Sequence, residues 1–288
     1  MIDIVIVAYN PDVELINKNI KRALDSRYVN KVIVVDNSNS SNNFNCNNNS
    51  FSYIPLFENK GIATAQNIGI KKSLSDKKSA VVILFDQDSI ISKLLLEQLY
   101  DDYLLCKKRN IIVGAIGPTM IDSFSNKTEH PKFFKEIVKK RLLQVDKIIA
   151  SGQLLDKEFI QYIGLMDEEL FIDGVDSEWC WRANSKNYKI LLSVNAKMIH
   201  TVGESIIKLP FLSLRVATPI RMYYQYRNYF LLFNKKHTPL YWKIRVGIAY
   251  VLKLFIFTMF VSDKKERLFF IKKGIKDGII GKRGRIDS

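Results

Sequence analysis

The sequence predicts an α/β fold, a mostly parallel sheet flanked by helices, on three observations. Short apolar, β-branched runs alternate with longer amphipathic segments. The runs are apolar on both faces, as strands covered by helices on both sides must be. Polar residues gather where the first, second and fourth runs end, and ligands of such sheets bind beyond the carboxyl ends of the strands.

Residues 2–8 read as a buried strand, and Asn10-Pro11-Asp12 is a turn and cap that leads into an amphipathic helix over 12–26. "KVIVVDNS" is a second buried strand ending in Asp36-Asn37, and the Asn- and Ser-rich run over 37–50 reads as a solvated loop. A third strand is expected over 53–59, a helix over 61–74, a fourth strand over 79–86, a long helix over 91–108 and a fifth strand over 111–118. Beyond residue 119 the alternation weakens. Strands are expected over 147–156 and 188–200, helices over 156–163 and 176–186, and an aromatic, basic helix over 214–234 despite Pro219.

The formal net charge of +15 requires an anionic partner: nucleic acid, an acidic membrane surface or a phosphorylated substrate. Its distribution narrows the choice. Residues 235–288 hold 14 Lys and Arg against 4 Asp and Glu. Within them, 242–262 is almost apolar enough to span a bilayer, but Arg245 and Lys253 interrupt it. A cation in mid-span costs roughly 2.5 to 3.5 kcal/mol, so a helix lying in the membrane interface is the expectation, with a helix packed on the domain as the alternative. The charge is interleaved with Ile, Leu and Phe and matches no nucleic-acid module, so nucleic acid is not an expected partner. Cys46, Cys106 and Cys180 are scattered, which suggests neither a disulfide framework nor a zinc site and fits a reducing compartment. Met1 leads straight into "IDIVIVAY", without the basic start of a secretory signal.

The candidate chemistry begins at "LFDQDS", where Asp86 and Asp88 stand two apart at the end of the fourth strand. Carboxylates so placed suit Mg²⁺ or Mn²⁺, with a substrate diphosphate completing the coordination; a polar strand end that caps the next helix is the plain alternative. Asp36 can accept hydrogen bonds from a base or ribose, or simply start the Asn-rich turn. "ELFIDGVDSEWCWR" carries Glu169, Asp173, Asp176 and Glu178 beside Trp179 and Trp181. Aromatic faces wall sugar rings, and a carboxylate beside a sugar hydroxyl can act as general base. Acidic residues in a first helical turn also complement the helix dipole. His200 closes a strand and is a candidate metal ligand.

The order of "AYN", "VDNSNS", "NKGIATAQNIG", "LFDQDS", "ASGQLLD", "ELFIDGVDSEWCWR", "MIHTVGES" and "YYQYRNYFLL" resembles the inverting family 2 glycosyltransferases of GT-A fold, whose Rossmann-like sheet the elements above would form. "DQDS", "FIDGVDSEWCWR" and "QYRN" further resemble bacterial rhamnosyltransferases of surface-polysaccharide assembly. The resemblance covers roughly residues 2–234 and implies a catalytic domain over 1–213, followed by a helical, basic, membrane-associating segment over 214–288. It implies a donor site of Ala8, Asn10, Asp36, Asn37, Gly61, Asn67, Asp86, Gln87, Asp88 and Arg227. Metal would be held by Asp86, Asp88 and His200, and Asp176 would be the general base. Val175 stands where relatives carry Glu, which leaves Asp173 beside Glu178, Trp179 and Trp181 for the acceptor site. The implied partners are a nucleotide-sugar donor, with dTDP-β-L-rhamnose ahead of UDP-galactose or UDP-GlcNAc, a lipid-diphosphate-linked oligosaccharide acceptor, and the cytoplasmic face of an anionic membrane.

Overall fold

β1 (Ile2–Ala8) is an inner strand of the sheet, buried along its whole length. In the computed structural model, which describes residues 1–44, 48–122, 128, 131, 133–200, 205–209, 212–260 and 263–286, β1 lies parallel between β2 (Val29–Asp36) and β4 (Val81–Asp86). β3 (Phe51–Pro55) extends the sheet parallel to β2. On the other side follow β8 (Gln153–Asp156), β5 (Val113–Asp122), β9 (Lys189–His200), β7 (Leu142–Gln144) and β6 (Lys135–Val138). The order is β3-β2-β1-β4-β8-β5-β9-β7-β6. β8 opposes β4 and β5, β5 and β9 are parallel, and β7 opposes β9 and β6. Only β8 and β7 therefore run against the rest, and the sheet is mostly parallel as expected.

Alternate residues of β1 feed two cores, as the two-residue period of a strand requires. Ile4 and Ile6 pack with α1 (Val13–Leu24) and α3 (Lys93–Lys108), whereas Val5 and Val7 face α2 (Ile62–Leu74), α4 (Lys157–Ile163) and α5 (Val175–Ser185). Side-chain caps set the helix starts: Asp12 accepts from Glu14 N and Leu15 N, Ser92 from Leu95 N, and Asp156 from Glu158 N.

Several boundaries differ from expectation. The third strand ends at Pro55 rather than running to residue 59: its ladder closes with Leu56 N donating to Asp36 O at 2.8 Å, where β2 itself ends. Of the strand expected over 147–156, only the last four residues pair, and they run antiparallel. The short β6–β7 hairpin carries too few apolar residues to have been legible. Residues 214–216 belong to β11 (Leu212–Val216), which pairs with β10 (Ser205–Leu209); the expected domain boundary at 213/214 falls inside that strand. The helix α6 (Pro219–Phe233) starts at its proline, a position where the missing N–H costs nothing.

α7 (Leu240–Phe260) and α8 (Lys264–Ile279) follow, and α8 packs closely on α6. Among the described residues no helix is long and apolar enough to cross a membrane. Cys46 lies outside the described residues; Cys106 and Cys180 are free and buried.

Candidate active site

Strand register brings the polar ends together. Ala8 pairs with Asp36 and Val7 with Asp86, so the carboxyl ends of β1, β2 and β4 finish at one level. Beyond them opens a cavity of about 560 Å³, well within the range of small-molecule sites. Asn37, Gly61, Asp86, Gln87 and Asp88 line one side, and Asp173, Asp176 and Arg221 the other. The Gln87 side-chain oxygen accepts from Tyr9 N at 2.6 Å, tying the end of β4 to the end of β1. Asn37 donates to Asn59 Oδ1 at 3.0 Å and accepts from Lys60 N at 2.8 Å, which fixes the rim on the β2 side.

The far wall is a strained loop. Phe171, Asp173 and Gly174 have φ of 62°, 66° and 86°, a region that non-glycine residues enter only at a cost. Asn228 of α6 over-determines the loop by donating to the carbonyls of Leu170, Ile172 and Asp173 at 3.0, 2.6 and 2.8 Å. Gly61, φ 84°, presses against it: a Cβ there would stand 2.5 Å from Phe171 Cδ2, while Ile62 N donates to Phe171 O at 2.8 Å. The helix α2 and the loop before α5 are thereby fixed to one another.

Electrostatics mark this cavity. Burial, then Asp88, then Asp176 raise the Asp86 carboxyl to about 7, and Arg221 opposes them. Burial also raises Asp176, with Asp173 adding to it, while Lys147 and the hydrogen bonds from Ser177 pull the other way. Asp176 Oδ1 accepts from Ser177 N at 2.6 Å and from Ser177 Oγ at 3.3 Å, which leaves Oδ2 for another partner. Arg221 clasps Asp173 with Nε at 3.1 Å from both oxygens and Nη2 at 2.8 Å from Oδ1. Like-charged carboxylates held in a half-buried cleft suit a divalent cation, and Asp86 and Asp88 supply the hard oxygen donors Mg²⁺ or Mn²⁺ prefers. Among the described residues no group of three or more His, Cys, Asp or Glu could hold a metal by itself, so a substrate diphosphate and water would have to complete the shell.

Asn37, Gly61, Asp86, Gln87, Asp88, Asp173 and Asp176 thus meet at this cavity; Ala8, Asn10, Asp36, Asn67, Glu178, Trp179, Trp181 and Arg227 do not line it. Ala8 is fully buried, and Asn10 sits outside with its N–H on Ser38 Oγ at 2.8 Å. Asp36, fully buried, accepts from Ser38 N, Asn42 Nδ2 at 2.7 Å and the Tyr53 hydroxyl at 2.8 Å. Burial would raise its carboxyl, but those hydrogen bonds hold it below the usual range. Asn67 holds Met166 and Glu168. Arg227 is fully buried, donates to Leu170 O at 2.9 Å and to Gly284 O, and lies over the Tyr223 and Tyr224 rings.

Glu178, 1% exposed, is bound by Arg182, His237 and Lys235. Trp179 donates to Gly164 O at 2.8 Å, and Trp181 packs edge-on against Trp242 at 5.0 Å. Helix geometry explains these outcomes: of α5 only Val175 and Asp176, in its first turn, line the cavity, whereas Glu178, Trp179 and Trp181 turn into the core. His200 closes β9 opposite Asp122, and its side chain lies outside the described residues. Arg221 is the functional candidate the sequence did not single out; its only signal is a cation in the first turn of a helix opened by Pro219.

Residues 3–164 match glycosyl transferase family 2. The chain is 35% identical over 301 residues to a dTDP-rhamnosyl transferase, RfbF, of Shigella flexneri, across 97% of this chain and 95% of that protein. It is 24% identical to the low-salt glycan biosynthesis hexosyltransferase Agl10 of Haloferax volcanii, across 81% and 75% of the two chains. Among solved structures it resembles GalNAc-T7 with UDP, GalNAc and Mn²⁺, with a TM-score of 0.59, 14% identity and 97% of this chain covered; it spans 56% of that longer chain. S. aureus TarS 1-349 follows with a TM-score of 0.56 and 13% identity, over 96% of this chain and 80% of the other. A GT-A-like mixed α/β sheet, acidic residues at the ends of its parallel strands and a family match over more than half of the sequence agree: the chain is a glycosyltransferase and belongs to glycosyl transferase family 2.

Proposed function

We propose that this enzyme transfers L-rhamnose from dTDP-β-L-rhamnose, with inversion, onto a lipid-diphosphate-linked oligosaccharide of bacterial surface-polysaccharide (O-antigen or capsule) synthesis. The observation that carries the chemistry is the placement of Asp86 and Asp88 on one wall of a single cavity and Asp176 on the other. The likeness to a dTDP-rhamnosyl transferase over nearly its whole length supports the donor sugar.

Asp176 is the general base. Its raised carboxyl is a stronger proton acceptor than an ordinary aspartate, and Ser177 fixes the oxygen that does not face the acceptor. As the acceptor hydroxyl attacks the anomeric carbon from the side opposite the nucleotide, Oδ2 takes its proton, and one in-line displacement inverts the centre. Asp86 and Asp88 would hold Mg²⁺ or Mn²⁺, which when bound neutralises charge on the departing diphosphate. Arg221, already aligned by Asp173, adds a fixed positive charge on the same wall. Asn37 and Gly61 leave room for the nucleoside beside the β2 end.

The helices α6 to α8 would bring the enzyme to the cytoplasmic membrane face. Ile244, Ile248, Val251 and Leu252 form an exposed stripe along α7, each more than half exposed, within the most basic part of the chain. A transfer assay with dTDP-β-L-rhamnose, UDP-galactose and UDP-GlcNAc and a lipid-linked acceptor, with and without EDTA, tests the reading. Rhamnoside and free dTDP should form from the first donor only and vanish with EDTA. Transfer from a UDP-sugar but not from dTDP-rhamnose would overturn the donor assignment.

A further inference from the structure

A second cavity, of about 370 Å³, adjoins the active site between α5, α6 and α7. It shares Asp173 and Gly174 with the first, and neighbouring residues of α5 divide the two: Asp176 lines the first and Ser177 the second. Lys147, Arg245 and Lys253 line it against one carboxylate, Asp173, which Arg221 already clasps. Lys147 Nζ donates to Ser177 Oγ at 3.2 Å, so a cation stands one residue from the general base. The rest of the lining includes the aromatic rings of Tyr229, Tyr241, Trp242 and Tyr250.

α7 has two separate stripes. Tyr241, Trp242, Arg245, Ala249 and Lys253 recur at helical spacing on the side facing the cavity. Ile244, Ile248, Val251 and Leu252 point outward, 56%, 59%, 57% and 57% exposed. One helix therefore offers apolar side chains to a lipid phase and, on its other side, cations and aromatic rings to a polar head. A ligand that fits both is an amphiphile whose anionic head carries sugar rings: cations hold the phosphates, ring faces take the sugars, and its chain leaves along the outer stripe.

We propose that this second cavity is the acceptor pocket, in which Arg245, Lys253 and Lys147 hold the diphosphate of a lipid-linked saccharide and Tyr241 and Trp242 flank its sugars, so that the saccharide reaches Asp176 past Gly174. The inference rests on the first cavity being the donor site. The test is calorimetric titration of geranyl diphosphate into the full chain saturated with dTDP and Mg²⁺, so that the donor cleft is occupied. Saturable binding is expected in the wild type. The double variant Arg245→Ala/Lys253→Ala should bind at least about tenfold more weakly, the loss expected when charge-assisted contacts to a diphosphate are removed, with its affinity for dTDP unchanged.

Geraniol and inorganic pyrophosphate are the control ligands, and each should bind far more weakly than geranyl diphosphate. Unchanged binding by the double variant, or pyrophosphate binding as tightly as the amphiphile, would overturn the proposal. Wild-type binding of dTDP without binding of geranyl diphosphate removes the acceptor pocket alone. Failure of dTDP itself to bind removes the donor cleft, and the acceptor assignment with it.

Discussion

Glu178→Gln separates two roles for one residue. The sequence places Glu178 among acceptor-binding groups, whereas the structure buries it beneath the cleft with Arg182 Nε at 2.9 Å and Nη2 at 2.8 Å, and His237 Nε2 at 2.8 Å. Arg182 also donates to Ile163 O and Leu165 O, so this cluster fastens α5 to the chain that follows α4. Burial would raise the Glu178 carboxyl, but His237, Arg182 and Lys235 outweigh it and bring it from 4.5 to about 2. At about 1.4 kcal/mol per pKa unit, that depression is worth roughly 3 kcal/mol of folding stability. Because the folded-state value is the lower one, this stability is fully present above about pH 4.5 and is lost as pH falls towards 2.

A glutamine keeps the shape and removes the charge, leaving the half-buried Arg182 without its carboxylate, while Lys235 keeps its pair with Asp167. The variant should therefore unfold about 3 kcal/mol more easily at pH 7, a melting-temperature fall of about 6 to 10 °C in a chain of this size. The difference from wild type should shrink as pH falls below 4.5. Urea unfolding at several pH values measures it, alongside acceptor KM at a temperature where both proteins are folded. A variant within about 0.5 kcal/mol of wild-type stability but with a raised acceptor KM would refute the reasoning, since ordinary surface substitutions fall in that range.

Other outcomes follow from the same geometry. Asp176→Asn should bind donor normally and lose transfer by about 10²- to 10⁴-fold, the usual contribution of a general base; near-normal turnover would remove Asp176 from that role. Asp86→Ala and Asp88→Ala should each abolish the Mg²⁺ or Mn²⁺ dependence of dTDP binding, checked by titration with and without EDTA. Gly61→Ala must displace Phe171 from a 2.5 Å contact at a φ of 84°, so both stability and donor affinity should fall, by about 1 to 3 kcal/mol in unfolding experiments. Ile248→Glu, on the outer stripe of α7, should reduce flotation with anionic liposomes while leaving transfer to a short-chain soluble acceptor intact.

Much of the fold is legible in the sequence because strands buried on both faces read as short, β-branched apolar runs bounded by turn residues. β1, β2 and β4 and the helices after them stand out, and the rule that ligands gather at the carboxyl ends of parallel strands points to Asp86 and Asp88. Less was legible after residue 119. There β6, β7 and β8 are short, β8 runs against its neighbours, and Pro219 opens a helix instead of interrupting one.

The sequence by itself determined that a mostly parallel α/β sheet would form and that its acidic strand ends would face a common cleft, since local periodicity dictates burial and burial dictates the sheet. It did not determine which of the neighbouring polar residues line that cleft. Asp36 and Asn37 are adjacent, yet one is spent on Ser38, Asn42 and Tyr53 while the other lines the cleft. Arg221 and Arg227 share a helix, yet only Arg221 faces the carboxylates, and Arg227 is buried against Leu170 and Gly284. Such choices turn on the direction in which each side chain leaves its element and on which buried carbonyls and carboxylates lie in reach, and only the packed tertiary structure fixes both.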